Sequence, residues 1–249
     1  MNYFEGENIL IGISGGINSA AVLCQLIESG VKPKSVHLFY AHFEEHSDDT
    51  FKFVKEQFRY ARKMLDNVHI RVERNKVLSF FEKENIIPHP ANSPCSKKLK
   101  IERINKYAFE NLLFIDLVGY VQHELKRRGN RQINNAQNDM FSLSKHYPIG
   151  EFTDEWCFGI VLKHIGWYPA IYHIERNGKR VFKHNNCLPC KNMNTYEMEN
   201  VKEFFPDKHK KAMELSAKLK KYWGRDEAEF YSTFGRDLGQ ESTCGNCVW

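Results

Sequence analysis

Short apolar runs alternate with amphipathic stretches through the first half of the chain. The runs at residues 9–13, 35–40, 68–72 and 112–118 are rich in aliphatic residues, which is typical of buried parallel strands. The stretch after the first run carries apolar residues at helical spacing, and a charged helix is expected over residues 48–65 after the second. Strands that alternate with helices predict an α/β fold with a doubly wound parallel sheet, and such sheets bind ligands at the carboxyl ends of their strands.

The pattern changes near residue 150. Residues 199–223 have a strongly helical pattern, and the chain contains no internal repeat or low-complexity tract. We therefore expect an α/β domain over residues 1–150 and a smaller, mostly helical part over residues 151–249. Cys24 and Cys157 fall on apolar helix faces, so we expect both in the core.

The composition is that of an ordinary globular protein, with 42% hydrophobic and 27% charged residues among 249. The formal net charge of +5 suits a polyanionic ligand such as a nucleotide, and it permits contact with nucleic acid without requiring it. No apolar stretch approaches the roughly 20 residues that span a bilayer, and residues 1–5 lack the features of a secretion signal. We therefore expect a cytoplasmic protein with no membrane partner.

Residues 14–19, Ser-Gly-Gly-Ile-Asn-Ser, join the first strand to the first helix. Two consecutive glycines allow a tight turn and a close approach of the backbone to a ligand. The side chains of Ser14, Asn18 and Ser19 can cap the helix, whose first N–H groups form an anion site. The string lacks the third glycine of the dinucleotide fingerprint and the Gly-Lys-Ser/Thr of the P-loop.

This string resembles the SGGxxS loop of the PP-loop ATP pyrophosphatases, which form the adenine nucleotide alpha hydrolase superfamily. Residues 95–100, CSKKLK, resemble the Cys-x-x-x-Leu-Lys stretch of its phosphoadenosine phosphosulfate (PAPS) reductase-like family. Residues 119–128, GYVQHELKRR, resemble that family's Gly-x-Arg-x-x-Glu-x-x-x-Arg pattern, except that Val121 replaces the first arginine. Without the resemblance, the three segments are also compatible with an ordinary turn, a solvated basic helix and a surface ion pair.

The resemblance assigns roles to individual positions. Lys100 and Cys95 are carried over as the catalytic positions, with Lys100 contacting the phosphates, and Val121 removes one expected cation. Residues 1–150 would then be the PP-loop nucleotide-binding domain. The positions that would bind the nucleotide are Ser14, Gly15, Gly16, Asn18, Ser19, Gly119, Glu124 and Arg128.

Four of the seven cysteines form two Cys-x-x-Cys pairs. A turn with this spacing presents two thiolates to one metal, and in a reducing compartment cysteines favour metal binding or catalysis over disulfides. We expect Cys187, Cys190, Cys244 and Cys247 to bind one Zn²⁺ that fastens the C-terminal tail to the rest of the protein. An iron–sulfur cluster, a redox dithiol and four unrelated thiols are the alternatives.

The resemblance implies an enzyme that binds ATP at residues 14–19 and acts at its α-phosphate. An acceptor oxygen would attack that phosphate, pyrophosphate would leave, and the adenylated acceptor would be open to a sulfur or nitrogen nucleophile. The loop N–H groups, Lys100 and Mg²⁺ would stabilise the departing pyrophosphate. The acceptor and the oligomeric state stay open, with tRNA or another nucleic acid as one candidate acceptor.

Two other functions stay open at this point. A sulfonucleotide reductase would use a C-terminal cysteine to attack the sulfur of a bound sulfonucleotide. Residues 241–245, ESTCG, loosely resemble the reductases' Glu-Cys-Gly element, but two residues separate the Glu from the Cys, and the intact Gly-Gly loop favours ATP. A non-catalytic module would sense nucleotides or bind nucleic acid, as Val121 and the basic charge indicate.

Overall fold

The computed structural model describes residues 4–86, 94–132, 143–190 and 192–223. Its strands are β1 (Asn8–Ile13), β2 (Ser35–Phe43), β3 (Val68–Asn75), β4 (Ile115–Leu117), β5 (Ser144–His146), β6 (Glu175–Arg176) and β7 (Lys179–Arg180). Its α-helices are α1 (Ile17–Glu28), α2 (Thr50–Met64), α3 (Val77–Glu84), α4 (Pro94–Ser96), α5 (Glu102–Glu110), α6 (Gln122–Gln132), α7 (Asp154–Ile165), α8 (Thr195–Phe204) and α9 (Pro206–Trp223). A π-helical turn (Lys97–Ile101) joins α4 to α5, and a 3-10 helix (Ala170–His173) follows α7.

Five strands form one sheet in the order β3-β2-β1-β4-β5, and every neighbouring pair in it is parallel. This arrangement confirms the predicted doubly wound α/β fold. The strands β6 and β7 form a separate antiparallel hairpin. Strands β2 and β3 lie on one side of β1 in the sheet, and β4 and β5 lie on the other. The strand order therefore reverses between β1 and β4. The carboxyl ends of β1 and β4 are therefore where a ligand is expected.

The four apolar runs all become strands, but their lengths differ from the pattern. Strand β2 continues to Phe43, beyond the run at residues 35–40. Strand β4 is confined to Ile115–Leu117, because Leu112 adopts a left-handed conformation (φ 52°) in the turn that precedes the strand. Strand β5 has no counterpart in the sequence pattern, since its residues Ser-Lys-His form no apolar run.

Each face of the sheet carries its own hydrophobic cluster, because successive residues of a strand point to opposite faces. Ile9, Ile11 and Ile13 of β1 pack with α1, α2 and α7 in the first cluster. Leu10 and Phe39 lie in the second cluster, with residues of α3, α5 and α9. Helices thus cover both faces of the sheet and leave the strand ends as the place for a site.

Helices after residue 150 pack directly against those of the sheet. Helix α7 lies against α1, and Cys157 is fully buried in the same cluster as Cys24, which confirms both as core residues. Burial raises the pKa of each thiol to about 12. The helical stretch 199–223 is divided between α8 and α9, because Pro206 cannot continue α8 and instead opens α9. The boundary near residue 150 stays a prediction.

No helix in the described ranges combines the length and the apolar composition that a bilayer crossing requires.

The carboxyl group of Asp116 lies deep in the fold. Asp116 of β4 is only 2% exposed, and its Oδ1 has no hydrogen-bond partner among the described residues. It stands in register between Leu10 of β1 and Lys145 of β5. Burial raises the pKa of Asp116 to about 7, and the charge of Lys145 opposes that rise.

We expect Asp116→Asn to stabilise the protein at alkaline pH. The pKa of Asp116 is higher in the folded protein than its ordinary value of 3.8, so the folded protein loses stability as the pH rises between these two values. The substitution removes that loss. The unfolding free energy from urea denaturation at about pH 8 should rise by on the order of 1–3 kcal/mol.

Asp66→Asn is the matched control, because Asp66 is exposed. Its unfolding free energy should follow that of the wild type at every pH. A stability difference for Asp116→Asn that is equal at about pH 4 and about pH 8 would contradict the assigned titration.

Candidate nucleotide-binding site

The loop between β1 and α1 requires glycine at position 15. Gly15 has a φ of 81°, in the left-handed region, and a Cβ atom on it would lie 2.5 Å from Cγ2 of Thr50. Gly16 is the N-cap of α1, and a Cβ on it would lie 3.3 Å from both Ser14 Oγ and the Tyr172 hydroxyl. Both glycines therefore keep the loop close to its neighbours.

The two serines of the loop brace it rather than cap the helix. Ser14 N–H donates to Ser19 Oγ (3.0 Å), Gly16 N–H donates to Ser14 Oγ (3.1 Å), and the Ser19 hydroxyl donates to the Gly16 carbonyl (3.2 Å). No side chain caps α1, so the expected capping by residues 14, 18 and 19 is wrong. As a result, the N–H groups of Asn18 and Ser19, in the first turn of α1, have no partner among the described residues.

The segment after β4 is fastened to the same turn. The Asn18 side-chain amide and the Val121 N–H both donate to Oε2 of Glu124, and both donor–acceptor distances are 3.3 Å. A Cβ on Gly119 would lie 2.9 Å from the carbonyl carbon and oxygen of Asn18, so only glycine allows this approach. Glu124, which is 7% exposed, thus positions the start of α6 against the start of α1.

Val121 and Arg128 belong to the same motif at residues 119–128, and the structure describes the side chain of only the first. Val121, which stands where the family pattern has an arginine, is fully buried in the first hydrophobic cluster. The position is therefore a core position in this chain, and the lost cation has a structural reason. Arg128 lies in α6, but its side chain is outside the described part of the structure.

A third segment, distant in sequence, holds the other side of the loop. The side-chain amide of Asn185 donates to the Gly15 carbonyl (2.9 Å) and to Thr50 Oγ1 (2.8 Å). The hydroxyl of Tyr172 accepts from Ile17 N–H (3.4 Å) and Asn185 N–H (3.1 Å). The sequence motifs did not indicate Tyr172 or Asn185 as loop contacts. The only available signal was the run of polar residues at 184–186 beside a Cys-x-x-Cys pair.

A cavity of about 780 Å³ opens in front of this loop, at the carboxyl ends of β1 and β4. Its volume lies within the range of small-molecule sites. Its charged lining is mainly positive, with three acidic side chains, Glu124, Asp154 and Glu155. The cationic side chains among the described lining residues are Lys100, Lys126, Arg127, Lys179, Arg180 and Lys183.

Lys100 is the member of the predicted basic stretch that lines the cavity. The π-helical turn buries Leu99 and leaves Lys100 half-buried, with its Nζ 5.0 Å from the ring centre of Phe43. Such turns often occur at functional sites. Lys98 instead pairs with Glu84 (3.1 Å), and Arg103 with Glu73 (2.8 Å). Lys126 and Arg127 of α6 lie within the motif at residues 119–128, although neither was predicted to contact the ligand. The other cations come from the hairpin and the segment after it, which no motif indicated.

Asp154, the first residue of α7, contributes an acid to the cavity wall. Burial raises the pKa of its carboxyl group. The nearby His123 and His184 lower it, and the negative charges of Glu124 and Glu155 raise it further. A carboxylate with a raised pKa is a better proton acceptor than an exposed one.

None of the predicted site cysteines among the described residues lines the cavity. Cys95, on α4, is half-buried and packs against the second hydrophobic cluster. Cys187 packs against that cluster and Cys190 against the first. Cys244 and Cys247 are outside the described residues, among which no group of three His, Cys, Asp or Glu side chains is arranged to hold a metal. The four-cysteine site stays a prediction.

No protein-family model matches this chain, and no curated protein matches it. Among solved structures, it is similar to the U34-tRNA thiolase NcsA from Methanococcus maripaludis with its 4Fe-4S cluster, at 10% identity over 95% of this chain and 83% of that one, with a TM-score of 0.48. It is similar to a PAPS reductase from Candida auris in a phosphate complex, at 12% identity over 70% of this chain and 83% of that one, with a TM-score of 0.40. It is also similar to NMN synthetase from Francisella tularensis, at 12% identity over 92% and 89%, with a TM-score of 0.44.

A PAPS reductase is thus one of the similar structures. These similarities concern the arrangement of helices and strands. The chemistry of the cavity is a property of this chain's own residues.

We expect Lys100→Ala to weaken ATP binding about ten- to a hundredfold, because a charge-assisted contact to phosphate contributes about 1.5–3 kcal/mol. Lys98→Ala is the matched control, since Lys98 lies in the same π-helical turn but pairs with Glu84. Isothermal titration calorimetry measures both dissociation constants. Equal ATP affinities for the two variants would show that the basic turn is only a solvated surface.

Proposed function

We propose that this chain is a PP-loop enzyme of the ATP pyrophosphatase type, which transfers the adenylyl group of ATP to an acceptor and releases pyrophosphate. The observation that carries the proposal is the convergence, in one cavity, of the two unpartnered N–H groups of α1 with the cations from the π-helical turn, α6 and the hairpin. The triphosphate of ATP carries the complementary charge.

The loop would hold the phosphates through its backbone. The N–H groups of Asn18 and Ser19 lie at the positive end of the helix dipole, where an anion is stabilised. Lys100 would neutralise charge on the phosphates, and the cations of α6 and the hairpin would do so at the mouth of the cavity. Gly119 and Glu124 would act by position, because they fix the first turn of α1 rather than supply positive charge.

The reaction would be a substitution at the α-phosphorus. An acceptor oxygen forms a bond to that phosphorus, the bond from phosphorus to the α,β-bridging oxygen breaks, and pyrophosphate leaves with the electron pair. The carboxylate of Asp154, which lines the same cavity and has a raised pKa, would take the acceptor's proton. Fixed donors and cations stabilise the charge that develops on the leaving group.

Mg²⁺ is expected to accompany ATP and to neutralise part of the phosphate charge. This cation keeps several waters and takes substrate phosphates together with one or two carboxylates. Glu155, which also lines the cavity, fits that small contribution and leaves Asp154 to act as the proton acceptor. The lining residues come from both sides of residue 150, so the site would need both predicted parts of the chain.

The test is pyrophosphate release from ATP in the presence of pools of tRNA and small metabolites, with mass spectrometry to find the adenylated product. Gly16→Val should abolish release, because its side chain would meet Ser14 Oγ and the Tyr172 hydroxyl. Gly159→Ala, on α7, is the matched control, since the added methyl group meets no atom within 4 Å apart from its chain neighbours and the backbone of its own helix.

The outcome of this test separates the candidate functions. Release that depends on the acceptor supports adenylyl transfer. Sulfite release from a sulfonucleotide in the presence of thioredoxin would instead assign the reductase activity. ATP binding without either product would assign a non-catalytic module.

We also propose that Cys187, Cys190, Cys244 and Cys247 bind one Zn²⁺. Thiolates spaced two residues apart chelate one ion well, and metal binding to such a site is linked to folding. Protein purified without oxygen should be colourless and should contain near-stoichiometric zinc by elemental analysis. A brown protein with iron and sulfide would assign a cluster. If neither metal is present, the proposed site is wrong.

The double variant Cys187→Ala/Cys190→Ala should lose the metal, and Cys24→Ala is the control because that buried thiol lies in the core. ATP binding measured on both variants would show whether the nucleotide loop depends on the cysteine pair.

A further inference from the structure

The hydroxyl of Tyr172 lies beside the nucleotide loop, 3.4 Å from the N–H of Ile17. Tyr172 belongs to the 3-10 helix, is 3% exposed, and packs edge-to-face on Phe158 with ring centres 5.3 Å apart. The residue nevertheless lines the cavity in front of the loop. A rigidly held aromatic ring therefore brings one polar atom to the wall of the candidate site.

The hydrogen-bonding capacity of this hydroxyl is only partly used. A phenol oxygen accepts hydrogen bonds and also carries one hydrogen to donate. The N–H groups of Ile17 (3.4 Å) and Asn185 (3.1 Å) occupy its acceptor positions. No acceptor for its own hydrogen exists among the described residues. Buried hydroxyl groups usually find such a partner, so the missing acceptor indicates a ligand.

The surroundings define the kind of ligand. The hydroxyl oxygen lies 3.3 Å from the place where a Cβ on Gly16 would be, beside the first turn of α1. That turn offers the unpartnered N–H groups of Asn18 and Ser19. Burial raises the pKa of Tyr172 to about 12, so the group keeps its hydrogen at neutral pH. The hydroxyl and these two N–H groups are donors beside the same turn, which favours an anion. Asp154 is the nearby acid, and its charge raises the pKa of Tyr172 further.

We propose that the hydroxyl of Tyr172 donates a hydrogen bond to the phosphate oxygen held at the first turn of α1. This inference rests on the proposed function and adds a residue to it. Tyr172 would be a phosphate-binding residue that also fixes the loop through Ile17 and the neighbouring segment through Asn185.

The competing explanation is that Tyr172 only orders the loop. Thr50 provides a matched comparison, because its Oγ1 accepts from the Asn185 side chain (2.8 Å) in the same network, yet Thr50 does not line the cavity. Tyr172→Phe and Thr50→Val each remove one hydroxyl from this network without changing the size of the side chain much. Only Tyr172→Phe removes a donor to the anion.

The experiment measures the affinity of full-length protein for inorganic pyrophosphate and for adenosine by calorimetry, together with the melting temperature. Both variants should melt below the wild type. Pyrophosphate affinity should fall about tenfold for Tyr172→Phe, as expected for one hydrogen bond to a charged group, and less than about twofold for Thr50→Val. Adenosine affinity should stay the same in both.

Equal losses of pyrophosphate affinity in the two variants would overturn the inference, and so would an unchanged affinity in Tyr172→Phe. Other outcomes test the proposed adenylyl transfer separately from the role of Tyr172. A wild type that binds pyrophosphate in a Tyr172-dependent way but never releases it from ATP keeps this inference and rejects adenylyl transfer. A wild type that binds neither pyrophosphate nor ATP rejects both.

Discussion

A turn that is buried between a central strand and a helix must pair its polar groups, since a buried backbone group without a partner costs free energy comparable to a lost hydrogen bond. The turn at residues 14–19 meets this requirement in two ways. Ser14 and Ser19 pair with the backbone of the turn itself, and Asn185 and Tyr172 pair with it from the far end of the chain. The N–H groups of Asn18 and Ser19, in the first turn of α1 beside the cavity, have no partner among the described residues.

The same requirement explains why the cavity is built from distant segments. The left-handed Gly15 brings the loop against α2, and the Asn185 side chain closes the gap between them. Because Asn185 is held there, the hairpin and its following segment lie beside the loop and bring Lys179 and Lys183 into the lining. Tyr172 and Asn185 thus connect the stability of the turn to the charge of the cavity.

The sequence was sufficient to predict the parts of the site that are local. The string at residues 14–19 identifies the loop, and Gly119 and Glu124 were predicted because their segment resembles the family's pattern and follows a predicted strand. Tyr172 and Asn185 could not be found in this way. Their contacts with the loop span 155 to 170 residues, and no local pattern encodes them. The short strand β5 was not predicted for a related reason. It forms because it pairs with β4, and its own residues show no strand pattern.

The distance in sequence between Gly15 and Asn185 also matters while the protein is being made. The ribosome adds the residue that holds the Gly15 carbonyl 170 positions after Gly15 itself. At about 5–20 residues per second, this interval lasts on the order of 10–30 s. During that time the nascent chain has the glycine turn but not Asn185, so the lining of the candidate site cannot be complete before Asn185 is made.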